Sequence, residues 1–214
     1  MWKLGKTTTS CLVLASLVLS ACGKEKTPNL FLDLHIKMSL WGQIEPARKA
    51  YPNLHPGEAR DTYKNDLMRQ YFDDEQDSNK RHVMAAIIYL GYSQKHLRAR
   101  AAYCDSLGVD ISPYKSYLEY NHKSEDITVD RILAQNQISR ETVWERNKIN
   151  LVPNAKNNLW AIGGMKDPAV ICSDIKNNPA KYTYSLNFGQ VTPIAAQQLK
   201  QAQASFDAAD GKTP

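Results

Sequence analysis

Apolar residues recur at helical spacing through most of this 214-residue chain. Ala59, Tyr63, Leu67 and Tyr71 follow at intervals of four, with Met68 and Phe72 alongside and Pro56-Gly57 just ahead. That pattern predicts a helix. Asp77 or Ser78 is placed to cap a second helix carrying Val83, Met84, Ile87, Ile88, Leu97, Ala101 and Cys104. Gly91 is a point where it would bend or divide, and Gly108 is its stop. Ser112-Pro113 reads as the cap and first residue of a third helix, with Tyr114, Tyr117, Leu118 and Asn121 on one face. Residues 125–149 carry one or two more. Residues 150–168 hold Pro153, Gly163, Gly164 and Pro168 and read as loop-rich. Ala169 to Ile175 predicts a short helix presenting Cys172. Pro193 opens a last helix to about Phe206, with fraying past Asp207.

Two stretches break this rhythm with a period of two, the strand signal. Leu30, Leu32, Leu34, Ile36, Met38 and Leu40 alternate with mostly polar residues, and so do Tyr182, Tyr184, Leu186 and Phe188. The two would pair, or each would dock extended on helices. The leucine content of the first also suits a helix.

The N-terminus has another texture. Lys3 and Lys6 precede an apolar run from Cys11 to Leu19 with no acid, and small residues follow. This is the layout of an export signal, and the run is far short of the roughly 20 residues that span a bilayer. Leu19-Ser20-Ala21-Cys22 resembles the lipobox of bacterial lipoproteins. The resemblance covers residues 1–22 and implies that Cys22 carries a diacylglyceryl group and, after cleavage, an acylated amine. It further implies palmitate-type chains that hold the protein on the membrane. Two or three acyl chains make a firm anchor where one holds only marginally. Gly23-Lys24, with no aspartate after the cysteine, points to the outer membrane, facing the periplasm. Residues 22–29 would form a polar tether to a globular body over 30–207, with 208–214 as a tail.

Removing residues 1–21 takes Lys3 and Lys6 away, so 25 Lys and Arg face 22 acids, a net charge of +3. That is too mild to suggest nucleic acid as a partner. With Cys11 in the signal and Cys22 lipidated, two cysteines remain. Cys104 and Cys172 are expected to form a disulfide in an exported protein. No Cys-x-x-Cys suggests redox exchange.

The candidate chemistry is thin. Ile132 to Val143 resembles the turn and recognition helix of helix-turn-helix DNA readers. That family, however, places glycine where Gln137 stands, and Ser139 reads as an ordinary helix cap. Asp73, Glu75, Asp77 and Asn79 alternate like calcium-loop ligands, but Ser78 and Met84 replace the glycine and glutamate such a loop needs. They read as a solvated connector. His82 and His96 lie about 21 Å apart along a continuous helix and could not share a metal. His35, His55 and His122 show no zinc spacing, and solvent-exposed histidines are the expectation. Ser112-x-x-Lys115 is better read as a cap than as a nucleophile. No phosphate-loop or dinucleotide fingerprint occurs, so no cofactor and no metal site is expected. Lys95, Arg98 and Arg100 with Tyr92 and Tyr103 read as the wet face of an amphipathic helix.

The expected fold is therefore mainly α: a single compact domain of about five or six helices with one disulfide, and room for a minor extended or two-stranded element. The expected role is a lipid-anchored envelope protein, a non-catalytic binding or structural module with an envelope protein as partner. The alternative is an anchored enzyme or small-ligand binder with a site assembled from distant residues. Catalytic residues are not legible.

Overall fold

Asp77 starts the element around which the rest is built. Its side chain accepts hydrogen bonds from the backbone N–H of Asn79 (2.9 Å) and Lys80 (3.3 Å). This satisfies donors that a helix start leaves open. The computed structural model describes Leu34 and residues 44–211. Cys22, the lipobox and the tether lie outside the described residues. So does the Leu30–Leu40 alternation, except Leu34, which is helical and buried.

From Asp77 one continuous helical rod runs 29 residues, about 43 Å at 1.5 Å per residue. It comprises α3 (Ser78–Ser93), a π-helical segment (Gln94–Ala99) and α4 (Arg100–Ser106). Gly91 does not divide it. The rod ends where Gly108, at φ 76°, takes the left-handed conformation that glycine adopts freely. Ahead of it, α1 (Ile44–Ala50) packs on α2 (Pro56–Asp74), and the Tyr51 hydroxyl bonds the Asp66 carboxylate. After it come α5 (Ser112–Asn121), α6 (Lys123–Gln135), α7 (Arg140–Leu151), α8 (Ala155–Gly163), α9 (Pro168–Asn177), α10 (Pro179–Ser185), α11 (Phe188–Val191) and α12 (Pro193–Ala209). The class is mainly α, and the described residues contain no strand. The elements are more numerous and shorter than the five or six helices expected.

The π-helical segment has a packing reason. Met84, Ile88, Tyr92, His96, Arg100 and Cys104 recur every four residues, and all six are buried. At about 100° per residue, the 20 steps from Met84 to Cys104 would carry the stripe about 200° around a straight α-helix. A π-helix turns by roughly 82° per residue, so six such residues cut the drift to about 90°. The wider turn keeps the second half of the stripe facing inward.

Two hydrophobic cores flank the rod. The larger gathers Met68, Phe72, Val83, Ile87, Val129, Ile132, Val143, Phe188 and Leu199 from α2, α3, α6, α7, α11 and α12. The smaller gathers Ala101, Ile111, Tyr114, Leu159, Ile171, Ile175 and Tyr182 from α4, α5, α8, α9 and α10. Cys104 and Cys172 sit in the smaller core, joined as a disulfide between α4 and α9 with their Cα atoms 5.6 Å apart. It spans 68 positions of sequence, a loop worth about 4 kcal/mol on the chain-entropy account.

Three local expectations change. The Tyr182–Phe188 alternation is not a strand. It straddles α10 and α11, where Pro179 starts one helix and Asn187 accepts from the Gly189 N–H to start the next. The stretch 150–168 is not mainly loop. Pro153 and Gly164 flank α8, whose Ala155 and Leu159 are buried four residues apart. Ser112 is not the cap of α5 but its first helical residue: the N-cap is Ile111, which makes no side-chain cap bond, and Asp110 accepts from both the backbone N–H (2.8 Å) and the hydroxyl (2.6 Å) of Ser112. At the other end, α12 reaches Ala209, and Arg131 grips Asp210 with two bonds of 2.8 and 3.1 Å.

The α6–α7 corner clarifies the helix-turn-helix likeness. Gln137 adopts φ 55°, the left-handed turn the likeness assigns to glycine. Ser139 accepts from the Thr142 N–H at 3.0 Å, a cap as expected.

Candidate functional site

The chemically capable side chains converge at the seam between the two cores. Tyr92, His96 and Arg100 project from successive turns of the rod. Tyr114 comes from α5 and Asn158 from α8, and His122 sits at the α5–α6 corner. The π-helical segment presents His96 and Arg100 to this seam, and its Gln94 is bonded by Asn147 of α7 at 2.8 Å.

Arg100 is 1% exposed, and its cation makes no ion pair among the described residues. Its Nη1 donates to His96 Nδ1 at 2.6 Å and to the Tyr114 hydroxyl at 2.9 Å. Its Nη2 makes one long bond to the Asn158 carbonyl at 3.5 Å, and its Nε has no partner. Burial lowers the guanidinium's pKa, and Tyr114 opposes that shift. A group that starts above about 12 stays charged.

His96 is 3% exposed and neutral. Because Nδ1 accepts from Arg100, the ring's proton must sit on Nε2. Burial holds its pKa well below the ordinary value, and the cations of Arg100 and Lys95 push it further down. Lys95, half-buried at the edge of the seam, is lowered to about 8, first by burial and then by Arg100.

His122 is a separate clamp. At 2% exposure, its Nδ1–H donates to the Leu118 carbonyl at 2.9 Å, and its Nε2 accepts from the Phe188 N–H at 3.1 Å. It thereby ties the α5–α6 corner to the start of α11. Tyr92 lies between the two histidines, its ring centroid 4.6 Å from that of His96 and 5.4 Å from that of His122. Tyr182 bonds the Asp174 carboxylate, which lowers the pKa of that acid.

Several sequence expectations change at this seam. Arg100 and Tyr92 do not form a wet face, because both are buried; Arg98 alone of the arginines there is exposed, stacked over Trp144 at 4.0 Å. His122 is interior, not solvent-exposed. His96 and Arg100 lie on the four-residue stripe from Met84 to Cys104, but on a straight α-helix that stripe turns away from the core, so the spacing alone did not mark them as buried. His122 had no comparable signal. Within the acidic run 73–79, Asp77 caps the rod and Glu75 accepts from the Asp77 N–H at 3.1 Å. His55 likewise serves the start of α2, accepting from the Gly57 N–H at 3.4 Å. Among the described residues no three His, Cys, Asp or Glu side chains come together in a metal-holding group.

Two surface concavities lie among the described residues. One of about 290 Å³ is lined by Leu67, Gln70, Tyr71, Asp74 and Glu75, and one of about 430 Å³ lies along the α1–α2 turn beside Arg48, Lys49 and Tyr51. Neither touches the seam. No helix among the described residues is long and apolar enough to cross a membrane. Comparison with known family models, curated proteins and solved structures returned no match to this chain.

Proposed function

We propose that this chain is a lipid-anchored envelope lipoprotein whose globular body acts as a non-catalytic binding or structural module. The observation that carries the reading is where the acid–base side chains lie. His96, Arg100, Tyr114 and His122 are sealed inside, where the hydrogen bonds they make run to one another and to backbone groups. A group that touches no solvent touches no substrate, and catalysis needs that reach.

The surface supports contact instead. Tyr117 and Tyr120 on α5 and Tyr184 on the neighbouring α10 are 48%, 80% and 75% exposed. Tyrosine offers a large apolar body and a polar tip, the residue type enriched where proteins meet. The lipobox-like Leu19-Ser20-Ala21-Cys22 supplies the anchor in this reading.

Two measurements test it. Cys22→Ala should abolish labelling by a fatty-acid probe in cells, and equal labelling of variant and parent would remove the anchor. In-cell crosslinking of the lipidated protein should return a specific envelope protein, with capture reduced when Tyr117, Tyr120 and Tyr184 are changed to Ser. Turnover of a hydrolytic substrate by the purified protein, lost on one carboxylate or histidine substitution, would replace the binding reading with the anchored enzyme.

A further inference from the structure

Arg100 presents an unsolved balance at the centre of the molecule. A buried charge is ordinarily paired, because taking an ion out of water costs several kcal/mol. Arg100 lies beside another cation, Lys95, and its other neighbours are the neutral His96 and the hydroxyls of Tyr92, Tyr114 and Tyr182. Asp174 reaches the seam only through the Tyr182 hydroxyl and is engaged with Asn178 and Lys181.

The unmet donors are not scattered. Nη1 is saturated by His96 and Tyr114. Nε is free, and Nη2 on the same side makes only the long bond to Asn158. The Nε–Nη2 edge is the one through which a guanidinium grips an anion with two parallel N–H bonds. A water there would satisfy a donor and leave the charge standing. An anion satisfies both. Arg100 is itself 1% exposed, so the edge is closed to bulk solvent and its occupant has to be small.

We propose that the seam between the two cores is a binding site for one small monovalent anion of the halide class, held by the Nε–Nη2 edge of Arg100 with Lys95 close by. The ion is a structural ligand that neutralises the buried guanidinium and joins the rod to α5 and α8. This site is independent of the anchored-binding-module reading and stands or falls separately from it.

The test uses the full-length lipidated protein in neutral detergent at pH 7. Thermal unfolding is followed by tryptophan fluorescence while chloride replaces gluconate at constant ionic strength. At 100-fold excess over its dissociation constant, a ligand of the native state should raise the parent's midpoint by about 5 °C. Arg100→Met should abolish this chloride response. Bromide-soaked crystals of the parent, which need no variant to fold, should show an anomalous peak within about 3.5 Å of Arg100 Nε. A midpoint that ignores chloride, an equal response in Arg100→Met, or a refined water with no bromide at that edge would each overturn the site.

Discussion

His96 makes the stability of this protein depend on pH in a way that can be worked out in advance. Its Nδ1 accepts from Arg100 at 2.6 Å. A proton there would set N–H against N–H, and a second cation beside the first, in a site closed to water. The folded protein therefore keeps His96 neutral as the pH falls, and its pKa lies well below the ordinary value because of burial and then Arg100. The unfolded chain protonates the same ring near the ordinary value of about 6.5. Below that pH the unfolded state binds the extra proton, so the cost grows as pH falls, at up to about 1.4 kcal/mol per unit. Above about pH 7 the contribution is flat. Between pH 7.5 and 5.0 the loss from this one group is at most about 2 kcal/mol, the limit for a ring that stays neutral in the folded protein throughout. His82, whose pKa is lowered by burial and Arg81, acts in the same direction, so the parent's slope alone would not identify His96. His96→Gln does. Its side-chain oxygen can still accept from Arg100, but it does not titrate. Denaturant unfolding at pH 7.5, 6.0 and 5.0 should show the parent losing more stability than His96→Gln over that span, by up to about 2 kcal/mol. The interval stays above the range in which carboxylates such as Asp110 and Asp174 titrate, since both are lowered by hydrogen bonds. Parallel pH profiles for parent and variant would refute the argument.

Three further outcomes follow from local geometry. Replacing Cys104 and Cys172 with Ser should cost about 2–5 kcal/mol in denaturant unfolding, and non-reducing peptide maps of the parent should contain the linked pair; free alkylation of both thiols in unreduced, denatured protein would disprove the bridge. Gln137→Gly should stabilise by up to about 1 kcal/mol, because φ 55° strains a side-chain-bearing residue and not glycine; a lower unfolding midpoint would count against that turn. Gly163→Ala should destabilise by about 1–3 kcal/mol, since its Cβ would come within 2.6 Å of Cγ2 and 2.7 Å of Cγ1 of the buried Ile171; thermal melting unchanged from the parent would show that Ile171 yields freely.

The sequence by itself determined the helical class, the helix opened by Pro56-Gly57, a rod start at Asp77 or Ser78 and its stop at Gly108, the cap at Ser139 and the Cys104–Cys172 pair. These are legible because their causes are local: a side-chain oxygen two or three residues from the N–H it satisfies, a glycine where φ turns positive, or a count that leaves two cysteines. Proline and glycine misled at 150–168 for the same reason, since they mark the ends of short helices as readily as they mark loops. The seam was decided elsewhere. Arg100 is buried because Tyr114, 14 positions away, and Asn158, 58 away, close over it; His122 is buried because Phe188, 66 away, donates to its ring. A long polar side chain carries no mark of its own that separates a wet face from an interior. The four-residue stripe keeps His96 and Arg100 on the buried side only through the π-helical segment, and which hydroxyls and carbonyls receive them, and which edge of the guanidinium is left open, was decided by how six later helices pack against the rod.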